Sequence, residues 1–178
     1  MTIREIKICG DPILRKKAEK VSKISKSVKQ LIIDMFETLN KAKGVGLAAP
    51  QIGVSKSIII IDLSESKYNF RMAMINPKIL KKYGEEDYFS EGCLSVPEIW
   101  TDIKRPTIID IEYEDADGKK QKITGLSGMP ARVAQHELDH LNGILFIDKA
   151  ESKNKEFVRQ SVDILIKKTK LKTGNIIL

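Results

Sequence analysis

Both histidines of the chain lie in the stretch AQHELDHLNG, four positions apart, with an acid directly after the first. On a helix, His136 and His140 would lie one turn apart on one face, so both imidazoles could reach a single metal ion. Glu137 would then flank the open side of that ion. The chain contains no other histidine. The stretch therefore predicts a metal centre.

A catalytic tetrahedral site uses three protein ligands and leaves a fourth position for water, so another ligand must come from elsewhere. Cys93, in the stretch SEGCLSVPE, would supply a soft anionic thiolate, and Gly92 before it permits close approach of the backbone. Glu91 or Asp139 could complete the site instead, as carboxylates do in many metallopeptidases. Cys9 follows alternating apolar residues and is interpreted as a small core residue.

Three segments have the apolar periodicity of helices. Residues 25–43 repeat apolar side chains at steps of three and four, and Gly44 is expected to terminate them. Residues 128–143 carry the histidines and end at Gly143, which suits a C-terminal stop. Residues 152–172 predict a third helix near the C-terminus.

Four stretches predict strands: SIIIIDL at 57–63, RMAMIN at 71–76, TIIDIEYED at 107–115 and KKQKITG at 119–125. The last two flank the turn DADG and should form an antiparallel hairpin. No repeat, low-complexity tract or linker divides the chain. We therefore expect one α+β domain over residues 1–178.

Composition narrows the class of protein further. Apolar residues make up 42% of the 178-residue chain, enough for one core, and charged residues make up 31%. No apolar run approaches the roughly 20 residues that span a bilayer, and the N-terminus lacks the apolar region of a secretory signal. We expect a cytoplasmic protein with no membrane partner. A net charge of +7 fits either a polyanionic partner or a solvated surface.

Three motifs occur along the chain: GVGLAAPQ at 44–51, EGCLS at 91–95 and QHELDHL at 135–141. In this order and with this approximate spacing, they resemble the motifs of the peptide deformylase family. GDPILR near the start and INP at 75–77 extend the resemblance, which covers about residue 10 to residue 148. The resemblance implies a small α+β domain with antiparallel sheets packed around the metal-binding helix, plus N-terminal and C-terminal helices.

The same resemblance implies an activity and a role for each motif residue. The activity is removal of the formyl group, as formate, from N-formylmethionine of nascent polypeptides. A divalent metal, Fe2+ first with Zn2+, Ni2+ or Co2+ as alternatives, would be bound by Cys93, His136 and His140. Glu137 would be the catalytic acid and base, and the oxyanion would be held by Gln51 and the backbone N–H of Leu94. The implied substrate site comprises Gly44, Val45, Gly46, Glu91, Gly92, Met129 and Val133.

Three further expectations concern residues near the motifs and the C-terminal segment. A salt bridge between Glu91 and Arg105 is expected near the metal. Trp100 stands close to where several relatives carry an arginine that contacts substrate, which leaves open the peptide contacts beyond methionine. The segment from Lys149 to Leu178 has eight basic against three acidic residues, a local charge of +5, and is predicted to form a basic helix and tail. It would dock on the ribosome or merely remain solvated.

Two other functions are compatible with the histidine motif. A zinc peptidase of the HExxH type would cut internal peptide bonds, although its usual third histidine or glutamate lies downstream and no further histidine exists here. A non-enzymatic protein could use the metal as a staple and bind nascent chains or RNA. Retention of Glu137 disfavours this alternative, because a structural metal site is normally closed by a fourth protein ligand.

Overall fold

The computed structural model describes residues 2–172, with side chains as far as Thr169. Its strands are β1 (Gly46–Ala48), β2 (Ile58–Leu63), β3 (Phe70–Cys93), β4 (Val96–Glu114) and β5 (Lys120–Ser127). They form one antiparallel sheet in the order β1-β2-β3-β4-β5. The α-helices are α1 (Lys26–Ala42), α2 (Gly128–Leu141) and α3 (Ser152–Lys172), with short 3-10 helices at Pro12–Arg15, Ala49–Ile52 and Phe146–Lys149. The predicted α+β class is confirmed.

Within the described residues, no helix is long and apolar enough to cross a membrane. The span 1–178 expected for the domain stays a prediction, because the described part of the chain ends at residue 172.

Helix α1 begins as the sequence predicts but ends differently. The hydroxyl of Ser25 accepts a hydrogen bond from a backbone N–H of the first turn and caps the helix. At the C-terminus the left-handed residue is Lys43 (φ 55°) and not the expected Gly44. A Cβ at Gly44 would lie 2.6 Å from Leu39 Cδ1 and 2.9 Å from Leu94 Cδ1. A side chain at this position would therefore push against leucines of α1 and of the turn that follows Cys93.

The hairpin of β3 and β4 is the largest departure from the sequence-based expectation. The sequence predicts strands there only at 71–76 and 107–115, whereas β3 continues to Cys93 and β4 begins at Val96. Four register shifts interrupt the alternation of side chains along this pair, so no simple two-residue period marks it. The long hairpin carries the EGCLS motif at its end.

Strand β2 separates two apolar cores. Ile59 and Ile61 pack towards α2, whereas Ile58 and Ile60 belong to the cluster that includes α1. All four isoleucines are fully buried, which explains why this strand is apolar at consecutive positions. A third cluster lies between β4 and α3 and contains Cys9, as expected for a small core residue. The sheet thus holds α2, with its histidines, at a fixed position.

A buried carboxylate fixes the N-terminal segment to α1. Asp34 accepts hydrogen bonds from Gln30 Nε2 (2.9 Å), Arg4 Nη2 (2.8 Å) and the backbone N–H of Thr2 (3.2 Å). The Asp34 side chain is 2% exposed and that of Arg4 is 44% exposed. The hydrogen bond from Gln30, followed by that from Arg4, lowers the pKa of Asp34. Its ionised form therefore contributes to stability.

We expect Asp34→Asn to lower the free energy of unfolding by about 1–2 kcal/mol at pH 7, since it weakens hydrogen bonds to an ionised acceptor. A depressed folded-state pKa contributes stability above the unfolded value, about 3.9, and loses it as pH falls through the folded pKa. The difference in the free energy of unfolding between wild type and variant, measured by urea titration, should therefore disappear below about pH 4. Asp117→Asn, at an exposed pair with Lys29, is the control and should cost less than about 1 kcal/mol. A gap that stays constant with pH would contradict this account.

Candidate active site

Helix α2 brings both histidines and the intervening acid together in a buried position. His136, Glu137 and His140 are 9%, 3% and 1% exposed. The two imidazole rings have centroids 5.1 Å apart, as expected for residues one helical turn apart. The ring of Phe146 stacks on His136 at 5.9 Å and closes that side of the site. The predicted placement of the histidines on one helix face is confirmed.

The end of the β3–β4 hairpin brings Cys93 to the histidines. Its Sγ lies 3.2 Å from His140 Nε2, and one donor atom from each of Cys93, His136 and His140 lies within 4.8 Å of the others. Asp139, considered as an alternative ligand, instead pairs with Arg105 and Lys149. Among the described residues that could hold a metal, Cys93 is therefore the side chain that joins the two histidines.

These donors fit a divalent metal by type and by orientation. Glu91 Oε2 lies 2.9 Å from His136 Nδ1, so the other ring nitrogen of His136 is left to face Cys93. Such a carboxylate on the far nitrogen fixes the tautomer and orientation of a metal-binding histidine. A thiolate with two imidazoles suits zinc, iron, cobalt or nickel.

Glu91 is the most heavily hydrogen-bonded acid near the site. It accepts two hydrogen bonds from Arg105, at 2.7 and 2.9 Å, and one from Arg132 Nη1 at 2.9 Å. Burial would raise the pKa of Glu91, but the hydrogen bonds and charges of Arg105 and His136 outweigh it and hold this pKa at about 2. The expected Glu91–Arg105 salt bridge is present. Arg132 was not predicted from the sequence, although it lies one turn before His136 on a buried helix.

Glu137 has a different environment from Glu91. Its Oε2 is buried and has no hydrogen-bond partner among the residues that the structure describes. Burial raises the pKa of Glu137 to about 7. A Cβ at Gly46 would lie 2.5 Å from Glu137 Oε1 and 2.5 Å from Val133 Cγ1, so only glycine lets β1 pass so close. An acid of this kind can both accept and donate a proton near neutral pH.

Gln51 is held rigidly in the 3-10 helix beside β1. Its Oε1 accepts a hydrogen bond from the backbone N–H of Ala48 at 2.7 Å, which fixes the orientation of the amide. Its Nε2 donates towards Ser95 Oγ at 3.2 Å and Cys93 Sγ at 3.4 Å. Ser95 is a neighbour of the site that sequence reasoning missed. Leu94 lies in the turn between β3 and β4, directly after Cys93.

A cleft of about 610 Å³ opens next to these groups. Of the predicted site residues, all except His140 line it, including the whole predicted substrate set: Gly44, Val45, Gly46, Glu91, Gly92, Met129 and Val133. Other lining residues, missed by the sequence analysis, include Leu63, Tyr68 and Phe89. Trp100, noted in the sequence analysis beside the substrate contacts, also lines the cleft; its indole is 2.8 Å from where a Cβ of Gly92 would lie, and it is 66% exposed. Leu63, Tyr68 and Phe89 lie on β2, in the turn after it and on β3, away from the motifs, which is why no local pattern revealed them.

A cysteine and two histidines beside a buried acid, in a largely apolar cleft, have the composition of the active site of a metal-dependent hydrolase. The model of one such family, polypeptide deformylase, matches residues 3–156. The chain belongs to this family. Its members use a divalent metal and act on N-formylated nascent peptides, and this chain is a peptide deformylase by activity.

Individual relatives agree with this assignment. The chain is 44% identical to a peptide deformylase of Brachyspira hyodysenteriae over 90% of this chain and 87% of that protein. It is 48% identical to one of Dictyoglomus thermophilum, over 83% and 93% respectively. Among solved structures, a plant peptide deformylase has a TM-score of 0.91 at 35% identity, over 98% of this chain and 95% of that one. The deformylase of Legionella pneumophila has a TM-score of 0.84 at 39% identity, over 98% and 99%.

The two cysteines provide a test of the ligand set. Cys93→Ala should release the metal and abolish activity, because it removes one of three converging donors. Cys9 is 3% exposed, and burial raises the pKa of its thiol to about 11, so Cys9→Ala should only lower stability, by about 1–2 kcal/mol. Metal content by elemental analysis and urea unfolding would be measured for both variants. Equal loss of metal from the two variants would show that the third ligand is wrongly assigned.

Proposed function

We propose that Cys93, His136 and His140 bind the metal of this deformylase, and that Glu137 is the acid and base in its hydrolysis of the formyl amide of N-formylmethionyl peptides. The observation that carries the proposal is the convergence of three ligand atoms within 4.8 Å beside a buried, unpaired oxygen of Glu137. A divalent ion held there supplies Lewis-acid chemistry, which polarises a carbonyl and activates water.

Glu137 moves the proton in this scheme. Its free Oε2 accepts a proton from the attacking water and returns it to the nitrogen of the leaving amine, so the formyl carbon–nitrogen bond breaks and formate is released. Both steps need one group that exists in two protonation states at neutral pH. A pKa of about 7 supports this role, as does the lack of a competing hydrogen-bond donor among the described residues.

The oxyanion that forms on the formyl oxygen needs hydrogen-bond donors that are fixed in advance. We assign this role to the side-chain amide of Gln51 and the backbone N–H of Leu94. The hydrogen bond from Ala48 to Gln51 Oε1 supports the assignment, because it turns the NH2 group towards Cys93. Removing one such donor typically costs about 100-fold to 1,000-fold in rate.

The cleft supplies the surface for the rest of the substrate. Val45, Met129 and Val133 offer an apolar wall for the methionine side chain, and Met129 is flexible enough to adapt to it. Gly44, Gly46 and Gly92 also line the cleft, and we assign them to the substrate site. Glu91 also lines the cleft, but its oxygens are already hydrogen-bonded to Arg105, Arg132 and His136. We therefore assign Glu91 to positioning His136 and not to binding substrate.

We propose Fe2+ as the working ion, with Zn2+, Ni2+ and Co2+ able to occupy the same donors. The proposal rests on the resemblance of the motifs to the deformylases and on the mixed thiolate and imidazole donor set. Elemental analysis of protein purified without air tests it directly. Zinc or nickel at one equivalent, with iron absent, would contradict it.

A single assay separates deformylation from the two other functions considered. Formylmethionyl peptide and its unformylated counterpart are incubated with the protein, and both formate and new amino termini are measured. Formate from the first peptide alone supports deformylation, whereas cleavage of internal bonds in both peptides supports a peptidase. No hydrolysis of either by metal-loaded protein would support a binding protein.

Substitution of the acid tests its role separately from metal binding. Glu137→Gln should retain close to one metal per chain, because Glu137 is proposed to act on water and not on the metal. Turnover of formylmethionyl peptide should fall by about 100-fold or more, since general acid–base catalysis typically contributes 10²–10⁴-fold. Glu112→Gln, which removes a half-exposed surface carboxylate of β4, is the matched control. Near-normal turnover in Glu137→Gln, or loss of its metal, would contradict the assignment.

We propose that the basic C-terminal segment docks the enzyme on the ribosome, where nascent peptides emerge into the cytoplasm. Charge supports this role, because lysines that neutralise RNA phosphates give binding that weakens with salt. Helix α3 also leaves Phe157 and Ile164 exposed, at 68% and 66%. Lys167 and Lys168 lie on the described part of α3, whereas the side chains of Lys170 and Lys172 lie outside it.

Truncation after Thr169 tests the docking role. The shortened protein should hydrolyse short formyl peptides normally, because no residue of the proposed site lies beyond His140. Ribosome binding should weaken at low salt and its salt dependence should become shallower, because cationic residues are lost. Cosedimentation with ribosomes at several salt concentrations measures both quantities. Unchanged affinity at low salt would leave these lysines as solvated surface.

A further inference from the structure

Arg132 makes several buried contacts, but the proposed reaction gives this residue no role. It lies on α2, four residues before His136, and is 8% exposed. Its Nη1 donates to Glu91 Oε1 at 2.9 Å and to the backbone carbonyl of Ile103 at 3.1 Å. Its Nη2 donates to the carbonyl oxygen of Asp87 at 3.1 Å and to the Asp87 carboxylate. One guanidinium therefore contacts both strands of the hairpin and the acid that orients His136.

These contacts connect the two elements that supply the metal donors. Asp87 lies on β3 and Ile103 on β4, and the same hairpin carries Cys93 at its end. Arg132 and His136 lie on α2, so the guanidinium links the strand-borne donor to the helix-borne donors. The planar guanidinium suits this position, because its five N–H donors can reach several acceptors in one plane.

The link also restrains the orientation of His136. Glu91 Oε1 is shared by Arg132 and Arg105, while Oε2 is shared by Arg105 and His136 Nδ1. Arg105 donates to both oxygens of the carboxylate from β4. Arg132 adds a second cation on Oε1, and it does so from α2, the helix that also carries His136. Arg132 stacks in addition over the ring of Phe89, at 5.4 Å from its centroid, on the cleft wall.

We infer that Arg132 is a positioning residue for the metal centre: it holds Glu91 against His136 and so orients one of the three donor side chains. It contacts none of the three donor side chains directly in the described hydrogen bonds. This inference rests on the proposed role of His136 as a metal ligand. Groups that hold the carboxylate of a metal-binding histidine commonly change metal affinity or activity by 10-fold to 100-fold when removed.

The test measures metal affinity and coordination separately from catalysis. The Zn2+ affinity of wild type, Arg132→Met and Arg132→Lys is determined by competition with a chelator, and the visible absorption of each Co2+-loaded protein is recorded. Arg132→Met should bind Zn2+ 10-fold to 100-fold more weakly, with a shifted Co2+ spectrum. Arg132→Lys should recover part of the affinity, since its ammonium can donate to Glu91 but cannot span both strands.

Asp87→Asn is the matched control. It removes the carboxylate of Asp87 but retains both the backbone carbonyl of Asp87 and the contact between Arg132 and Glu91. Its Zn2+ affinity should stay within about threefold of wild type, because the ion pair it loses does not hold Glu91. Equal weakening in Asp87→Asn and Arg132→Met would overturn the inference, because the hairpin contact and not the Glu91 contact would then carry the effect.

Two further results separate this inference from the proposed function. If His136→Ala retains wild-type affinity for Zn2+, the proposed ligand set is wrong. If His136→Ala loses the metal but folded Arg132→Met and Arg132→Lys both match wild type in affinity and Co2+ spectrum, only the positioning role is overturned. Circular dichroism shows whether each variant is folded. If Arg132→Met does not fold, Arg132→Lys alone is compared with wild type.

Discussion

The site depends on one buried carboxylate, Glu91, and on the side chains that surround it. Two arginines and an imidazole donate to its two oxygens, so four hydrogen bonds converge on a group that is 5% exposed. A buried charge is tolerated only when it is paired and hydrogen-bonded. Because the partners come from β4 and α2, satisfying this one charge also fixes where the hairpin meets the helix.

Two buried glutamates close to the metal donors have opposite protonation behaviour. The pKa of Glu91 is held at about 2, whereas that of Glu137 is raised to about 7. The difference follows from their partners, since Glu91 faces two guanidinium groups and Glu137 Oε2 faces none of the described donors. Glu91 is therefore suited to carry a permanent structural charge, and Glu137 is suited to proton transfer.

The packing of the apolar clusters explains how so many polar groups can be buried and still keep one defined conformation. Strand β2 is enclosed by apolar clusters on both faces, and α2 packs against one of them through residues such as Ala134 and Leu138. Gly44 and Gly46 allow the chain to pass close to Leu94 and to Glu137. The position of α2 is therefore set by packing on the sheet, and the polar network then selects the orientation of its side chains.

Short-range patterns in the sequence predict the candidate metal site and most of the local elements. The spacing of His136, Glu137 and His140 depends only on helical geometry. The motif around Cys93 offered a candidate third donor, with Glu91 and Asp139 as alternatives. The positions of α1 and α2, to within about two residues at each end, and the hairpin across DADG also follow from short-range patterns of apolar residues, caps and turns.

Contacts between residues that are distant in the sequence could be seen only in the folded chain. The extension of β3 and β4 was hidden because register shifts break the side-chain alternation that marks a strand. The contacts of Arg132 with Glu91 and of Trp100 with Gly92 depend on that extension, as does the exclusion of Asp139 from the donor set. A sequence pattern records interactions between neighbours along the chain. Contacts between remote segments depend on how the sheet and helices pack, so they became visible only in the folded molecule.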